Sequence, residues 1–167
     1  GRQVAVLGRG YKRVGRRGTR TAEGGVTSAH LGDELAMMSK RGIRVYSDPD
    51  RVAGAVEAFE DGADVVVLDD GFQHRRIHRD LDVVVVDASW PQGGGPLPIG
   101  SQREAVGALK RADVVWVQGG ELPVSWQDWL PEKALVLRGR LEPSCFLFKG
   151  ERVGLSALQG LPVRAFA

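Results

Sequence analysis

Val65-Val66-Val67-Leu68-Asp69-Asp70-Gly71-Phe72-Gln73-His74 is the stretch on which the reading of this chain turns. Its first four residues are apolar and rich in β-branching, and they read as a strand buried on both faces. The run then stops at two carboxylates, a glycine, an aromatic residue, an amide and an imidazole. Apolar burial up to a fixed point, followed by polar and permissive residues, is how a parallel sheet delivers chemistry to its carboxyl edge.

The next apolar run, Val83-Val84-Val85-Val86-Asp87, follows a basic connector carrying Arg75, Arg76 and Arg79. That connector is too short for a crossover helix, so the two runs are either antiparallel or joined by an extended loop. Upstream, Val4 to Leu7 and Ile43 to Tyr46 read as strands. Between them Leu31, Leu35 and Met38 recur with the spacing of a helical stripe, with Asp33 and Glu34 in the first turn and Lys40-Arg41-Gly42 at the end. Asp48-Pro49 reads as an N-cap followed by proline at the first helical position. Val52, Val56 and Phe59 are the expected buried face of that helix, and Gly62 its stop.

Downstream, Trp90 to Pro98 reads as a loop, Ala105 to Arg111 as a helix, and Val114 to Val117 and Leu135 to Leu137 as strands. Cys145 to Val153 reads as a hairpin outside the main sheet. Alternating strands and helices predict an α/β domain with a mostly parallel sheet flanked by helices.

Composition narrows the classes. With 167 residues, 43% hydrophobic and 26% charged, the chain can bury a core. No apolar run reaches the roughly 20 residues that span a bilayer. The single cysteine, Cys145, excludes an internal disulfide framework. Net charge is only +2, but the cations are bunched: Arg9, Lys12, Arg13, Arg16, Arg17 and Arg20 share one glycine-rich loop over residues 9–30. Arginine grips phosphate with paired hydrogen bonds, so that loop suits an anionic ligand or is a solvated basic loop. Neither end carries a polar tail or a cap, and the chain is read as the central part of a longer protein.

The carboxylates admit two readings. A carboxylate ending a buried strand can set an oxygen ligand beside Mg²⁺ on a nucleoside triphosphate, the Walker B arrangement, or it can simply cap a loop. Gly71, Gln73 and His74 in direct succession favour the first, since a capping loop does not need them. Asp33-Glu34, taken alone, reads as helix-dipole acids that could also accept a proton or serve a metal. His30 and His78 read as surface residues, and Met37 and Met38 as packing. A G-x-x-x-x-G-K-[ST] phosphate loop occurs nowhere in the chain.

Together these residues resemble the tetraacyldisaccharide 4′-kinase family, the lipid A 4′-kinases of Gram-negative bacteria. The resemblance is carried by Asp69-Asp70-Gly71-Phe72-Gln73-His74-Arg75-Arg76 with Arg79-Asp80-Leu81-Asp82, and by Arg9-Gly10-Tyr11, where Gly8 stands for the usual serine. Gly32-Asp33-Glu34, Leu97-Pro98-Ile99-Gly100 with Arg103-Glu104, and Arg111-Ala112-Asp113 add to it. It implies a P-loop NTPase-like three-layer fold and ATP- and Mg²⁺-dependent phosphorylation of the 4′-hydroxyl of a tetraacylated disaccharide 1-phosphate in lipopolysaccharide biosynthesis. It also implies a peripheral place on the cytoplasmic face of the inner membrane.

By the same resemblance Asp33 helps activate the sugar hydroxyl, and Glu34, Asp69 and Asp70 serve the metal and phosphates, with Asp69 and Asp70 counted as catalytic too. Gln73 and His74 shape the site, and Arg9 and Arg103 contact substrate or phosphate. Residues 1–140 would be the core of the larger kinase domain without its phosphate loop. Residues 141–167 would be the hairpin linker and the start of a second domain. On that reading residues 1–167 alone are inactive. The rivals are a nucleic-acid-binding α/β module using the basic loops, which gives the acids no task, and a non-catalytic paralogue that binds the lipid headgroup.

Overall fold

The computed structural model describes residues 1–10, 20–21, 31–88, 95–160 and 162. It divides into two compact units, Gly1–Asp82 and Val83–Ala167.

The first unit is built on β1 (Val4–Gly8), with β2 (Arg20–Thr21), α1 (Asp33–Ser39), β3 (Arg44–Ser47), α2 (Arg51–Glu60) and β4 (Val65–Leu68). The sheet order is β2-β3-β1-β4. Both neighbours of β1 run parallel to it, with Leu7 opposite Tyr46 on one side and Leu68 on the other. Arg20–Thr21 pairs antiparallel with β3. That part of the basic segment is therefore strand rather than loop. The rest of the expected basic loop, residues 11–19 and 22–30, lies outside the described residues, as does His30.

The core lies around Ala5, Leu7, Tyr46, Ala55, Ala58 and Ala63, with Val66, Leu68 and Ile77 packed against it. A smaller cluster of Leu31, Leu35, Ala36 and Val45 seats α1.

The predicted helix over residues 31–38 is present, and Gly42 and Gly62 both take the left-handed conformation expected after a helix end, with φ of 80° and 88°. Met37 is exposed and Met38 half-buried. The helix α2 departs from expectation in two ways. Its N-cap is Asp50, whose side chain accepts from the amides of Val52 and Ala53. Asp48 instead accepts from the Asp50 amide at 2.8 Å, and Pro49 lies before the helix.

The buried face also turns the other way. Arg51, Gly54, Ala55 and Ala58 face inward, whereas Val56 and Phe59 are about half exposed, at 51% and 52%. Close approach explains the inversion. A Cβ at Gly54 would stand 2.7 Å from Leu7 Cδ1, so no side chain fits where α2 meets β1 at that position. At the far end of α2, the Tyr46 hydroxyl donates to Asp61 Oδ2 at 3.0 Å, and Arg44 donates to the Asp61 carbonyl.

β4 was expected to be buried on both faces, yet it is only half-buried and Val67 is 48% exposed. The reason is its place: it pairs with β1 alone and forms the border of its sheet.

The second unit carries β5 (Val83–Asp87), β6 (Val114–Gln118), α3 (Val124–Gln127) and β7 (Leu135–Gly139). Its hairpin is β8 (Phe146–Phe148) with β9 (Glu151–Val153). β5, β6 and β7 are parallel neighbours in that order, so β4 and β5 belong to different sheets and are not an antiparallel pair. Val86, Val115 and Val117 bury one face of this sheet. The segment Val106–Arg111 is a 3₁₀ helix rather than an α-helix. The expected hairpin is present as a separate two-stranded antiparallel sheet. No helix among the described residues is long and apolar enough to cross a membrane.

Candidate active site

Parallel pairing sends the three parallel strands of the first unit out at one edge, and their next residues are Arg9 after β1, Asp48 after β3, and Asp69-Asp70 after β4. The last carbonyls of β1 are taken from both sides. The Asp69 amide donates to the Leu7 carbonyl at 2.9 Å, and the Asp48 amide donates to that of Gly8 at 3.1 Å. Both aspartates thus continue the sheet ladders by one residue before the chain turns away.

Asp69 is half-buried and Asp70 exposed. Asp70 has φ 54°, a left-handed conformation that Asp and Asn adopt more readily than most residues. It reverses the chain so that Gly71 returns over Leu68, where a Cβ at Gly71 would lie 2.5 Å from the Leu68 Cβ. The glycine in this motif is therefore required by contact.

The following residues are held by Arg79. Its guanidinium grips Asp82 through two nitrogens, at 2.5 and 3.1 Å, and donates to the carbonyls of His74 and Ile77. With Ile77 packed on the core, these bonds fix the segment that carries Gln73 and His74. Gln73 and His78 are exposed; His74 is half-buried, and its Nε2 has no hydrogen-bond partner among the described residues.

Burial pushes the His74 imidazole below its ordinary value of 6.5. The charges of Arg51, Arg76 and Arg79 push the same way, and Asp50 pulls back. The unfolded chain takes up a proton near pH 6.5 while the folded one resists it to lower pH. This contribution to stability is therefore complete above about pH 6.5 and declines as the pH falls below it. Unfolding midpoints taken at pH 7.5 and 5.5 should show a smaller acid-side loss in His74→Gln than in the wild type.

Asp33 and Glu34 open α1, and both are exposed. A helix joining two parallel strands starts at their carboxyl edge, so the first turn of α1 belongs to the same edge as Asp69. Its seat is tight: a Cβ at Gly8 would lie 2.8 Å from Leu35 Cδ1. Glycine at this position, where the resembling family usually has serine, lets α1 settle on the end of β1. Arg9 is exposed at that end. The edge thus gathers Arg9, Asp33, Glu34, Asp69 and Asp70, with Gln73 and His74 on the loop that leaves it. Arg103 belongs to the second unit, where it is exposed beside Glu104; Glu104 pairs with Arg111 at 2.6 Å.

One residue at the edge was missed: Arg51, only 4% exposed. It donates to the Asp48 carbonyl at 2.7 Å and, at a longer 3.4 Å, to that of Asp69, and its Nε is buried with no partner among the described residues. Burial pushes its guanidinium below the ordinary value, while Asp69, Asp70 and Asp48 support the charge and Arg9 opposes it. Two sequence signals pointed to it. A cation in the first turn of a helix opposes the macrodipole, and Arg51 falls on the same helical face as Gly54, Ala55 and Ala58.

No group of three or more His, Cys, Asp or Glu among the described residues could hold a metal ion by itself. A pair of carboxylates at a sheet edge nevertheless fits Mg²⁺, which takes one or two protein oxygens and completes its shell with water and phosphate.

A family model described as tetraacyldisaccharide-1-P 4′-kinase matches residues 1–167. Among curated relatives, the tetraacyldisaccharide 4′-kinase of Anaeromyxobacter dehalogenans (strain 2CP-C) is 49% identical over 125 residues, covering 70% of this chain and 33% of its own length. That of Syntrophotalea carbinolica is 36% identical over 174 residues, covering 99% of this chain and 49% of its own length. The chain thus spans between a third and a half of these relatives. Among solved structures, the "apo" form of LpxK from Aquifex aeolicus in complex with ATP superposes with a TM-score of 0.70 at 28% identity. That match covers 95% of this chain and 51% of the other.

Proposed function

Because the chain belongs to the tetraacyldisaccharide-1-P 4′-kinase family, we propose that the full-length protein transfers the γ-phosphate of ATP to the 4′-hydroxyl of a tetraacyldisaccharide 1-phosphate, a step in lipid A biosynthesis. The observation that carries this reading is the family match along all 167 residues. The arrangement of the edge supports it, since phosphoryl transfer asks of a protein mainly positioning and neutralisation of charge.

In this reading Asp33 accepts the proton of the attacking hydroxyl. Glu34, Asp69 and Asp70 would hold Mg²⁺ or its water shell, which when bound would supply neutralising charge beside the transferring phosphoryl group. Gln73 and His74 border the site, while Arg9 and Arg103 meet phosphate oxygens. An acceptor carrying acyl chains and a donor drawn from the cytoplasm place the protein peripherally on the cytoplasmic face of the inner membrane. Nucleic acid is not a partner in this reading.

The test is transfer of radiolabel from γ-labelled ATP to the disaccharide by the full-length protein. Label at the 4′-position that requires Mg²⁺ and disappears with EDTA is the expected result. No transfer with Mg²⁺, together with steeply salt-dependent binding of nucleic acid, would favour the rival module.

A further inference from the structure

We propose that Arg51 is a positioning residue, a buried counter-charge that staples the carboxyl ends of β3 and β4 across β1 and holds the Asp69 edge in place. Buried arginines ordinarily meet a carboxylate in a paired hydrogen bond. Arg51 instead donates to two main-chain carbonyls, those of Asp48 and Asp69. These carbonyls belong to the residues whose amides flank the end of β1. One guanidinium therefore spans the strand between them, donating from two separate nitrogens of a rigid planar fork, where an ammonium would have to donate from a single nitrogen.

The charge has its own task. Asp69, Asp70 and Asp48 all support it, and Arg9 alone among its principal neighbours opposes it. Among the described residues, Arg51 is a buried positive charge that offsets mutual repulsion of these acids. A buried charge stripped of its partner is strongly destabilising, so removing Arg51 should leave Asp69 a burden where it had been an asset.

That sign reversal is the test, and it needs neither ATP nor metal. In the full-length protein, melting midpoints are compared for Arg51→Gln, Asp69→Asn and the double variant. Asp69→Asn is expected to lower the midpoint when Arg51 is present and to raise it when Arg51 is Gln. An equal shift in both backgrounds overturns the proposal. If Arg51→Gln does not fold, recovery of folded protein in the double variant supports it, and failure to recover overturns it.

Arg51→Lys supplies the second readout, which rests on the proposed kinase reading. Keeping the charge, it should restore most of the midpoint lost in Arg51→Gln. Losing the two-carbonyl bridge, it should lower kcat about tenfold or more with KM for ATP within about twofold. A kcat within about twofold of wild type overturns the stapling role. Absence of transfer by the wild type would sink the kinase reading, while the melting cycle would still decide the proposal.

Discussion

Gly71→Ala is expected to lower stability by about 2–3 kcal/mol and to reduce the proposed phosphotransfer by the full-length protein on the order of 100-fold. The added methyl would meet the Leu68 Cβ at 2.5 Å. That atom cannot rotate away as the end of a side chain could, because its place is set by the backbone. Leu68 is in register with Leu7 in the β4–β1 ladder, and its side chain packs on the core. The strand is thus the stiffer partner and the turn must yield. The turn is tethered further on by Arg79, which holds the carbonyls of His74 and Ile77. Displacement is consequently forced into residues 70–74, where Asp70, Gln73 and His74 sit. Thermal denaturation measures the first effect and initial rates the second. A variant with wild-type midpoint and rate would show that the turn has slack that these contacts exclude.

Asp70 should separate backbone from charge. Asp70→Asn keeps a residue that tolerates φ 54°, whereas Asp70→Ala places an ordinary side chain there at a cost of about 1–2 kcal/mol. Both remove the carboxylate that the functional reading aims at Mg²⁺ and phosphate, and each should lower kcat on the order of 100- to 1,000-fold, the scale for losing one electrostatic stabiliser of a transition state. The expected pattern is two variants equally slow, of which only the alanine also melts early. An active Asp70→Asn would reduce Asp70 to a turn residue and leave Asp69 and Glu34 as the metal-directed acids.

Much of the site was legible because its signals are local. An apolar run ending in Asp69-Asp70-Gly71 announces a strand and its edge, and Asp33-Glu34 announces a helix start. The hidden parts depend on distances between elements. Val52, Val56 and Phe59 form a helical stripe by any periodicity count, yet the interface belongs to Gly54, Ala55 and Ala58, because separation and not apolarity decides which face fits against β1. The Asp48-Pro49 signal misplaced the cap by two residues, since it is the Asp50 side chain that takes the first helical amides, those of Val52 and Ala53, while Asp48 takes the amide of Asp50 itself. Arg51 escaped notice because composition counts arginine as surface. Its burial follows from the inward face it shares with Gly54, where α2 is pressed closely against β1.

That pressure makes Gly54 a spacer of nearly zero thickness. It sits three residues from Arg51, where a side chain would meet Leu7 and the Cβ of Asp48, and it sets how deeply the start of α2 is sunk beside Leu7. Any side chain there would act as a shim, lifting the helix and drawing the guanidinium away from the two carbonyls it bridges. The alignment of the acidic edge is therefore calibrated from the middle of a helix, by the one residue in it with no side chain at all.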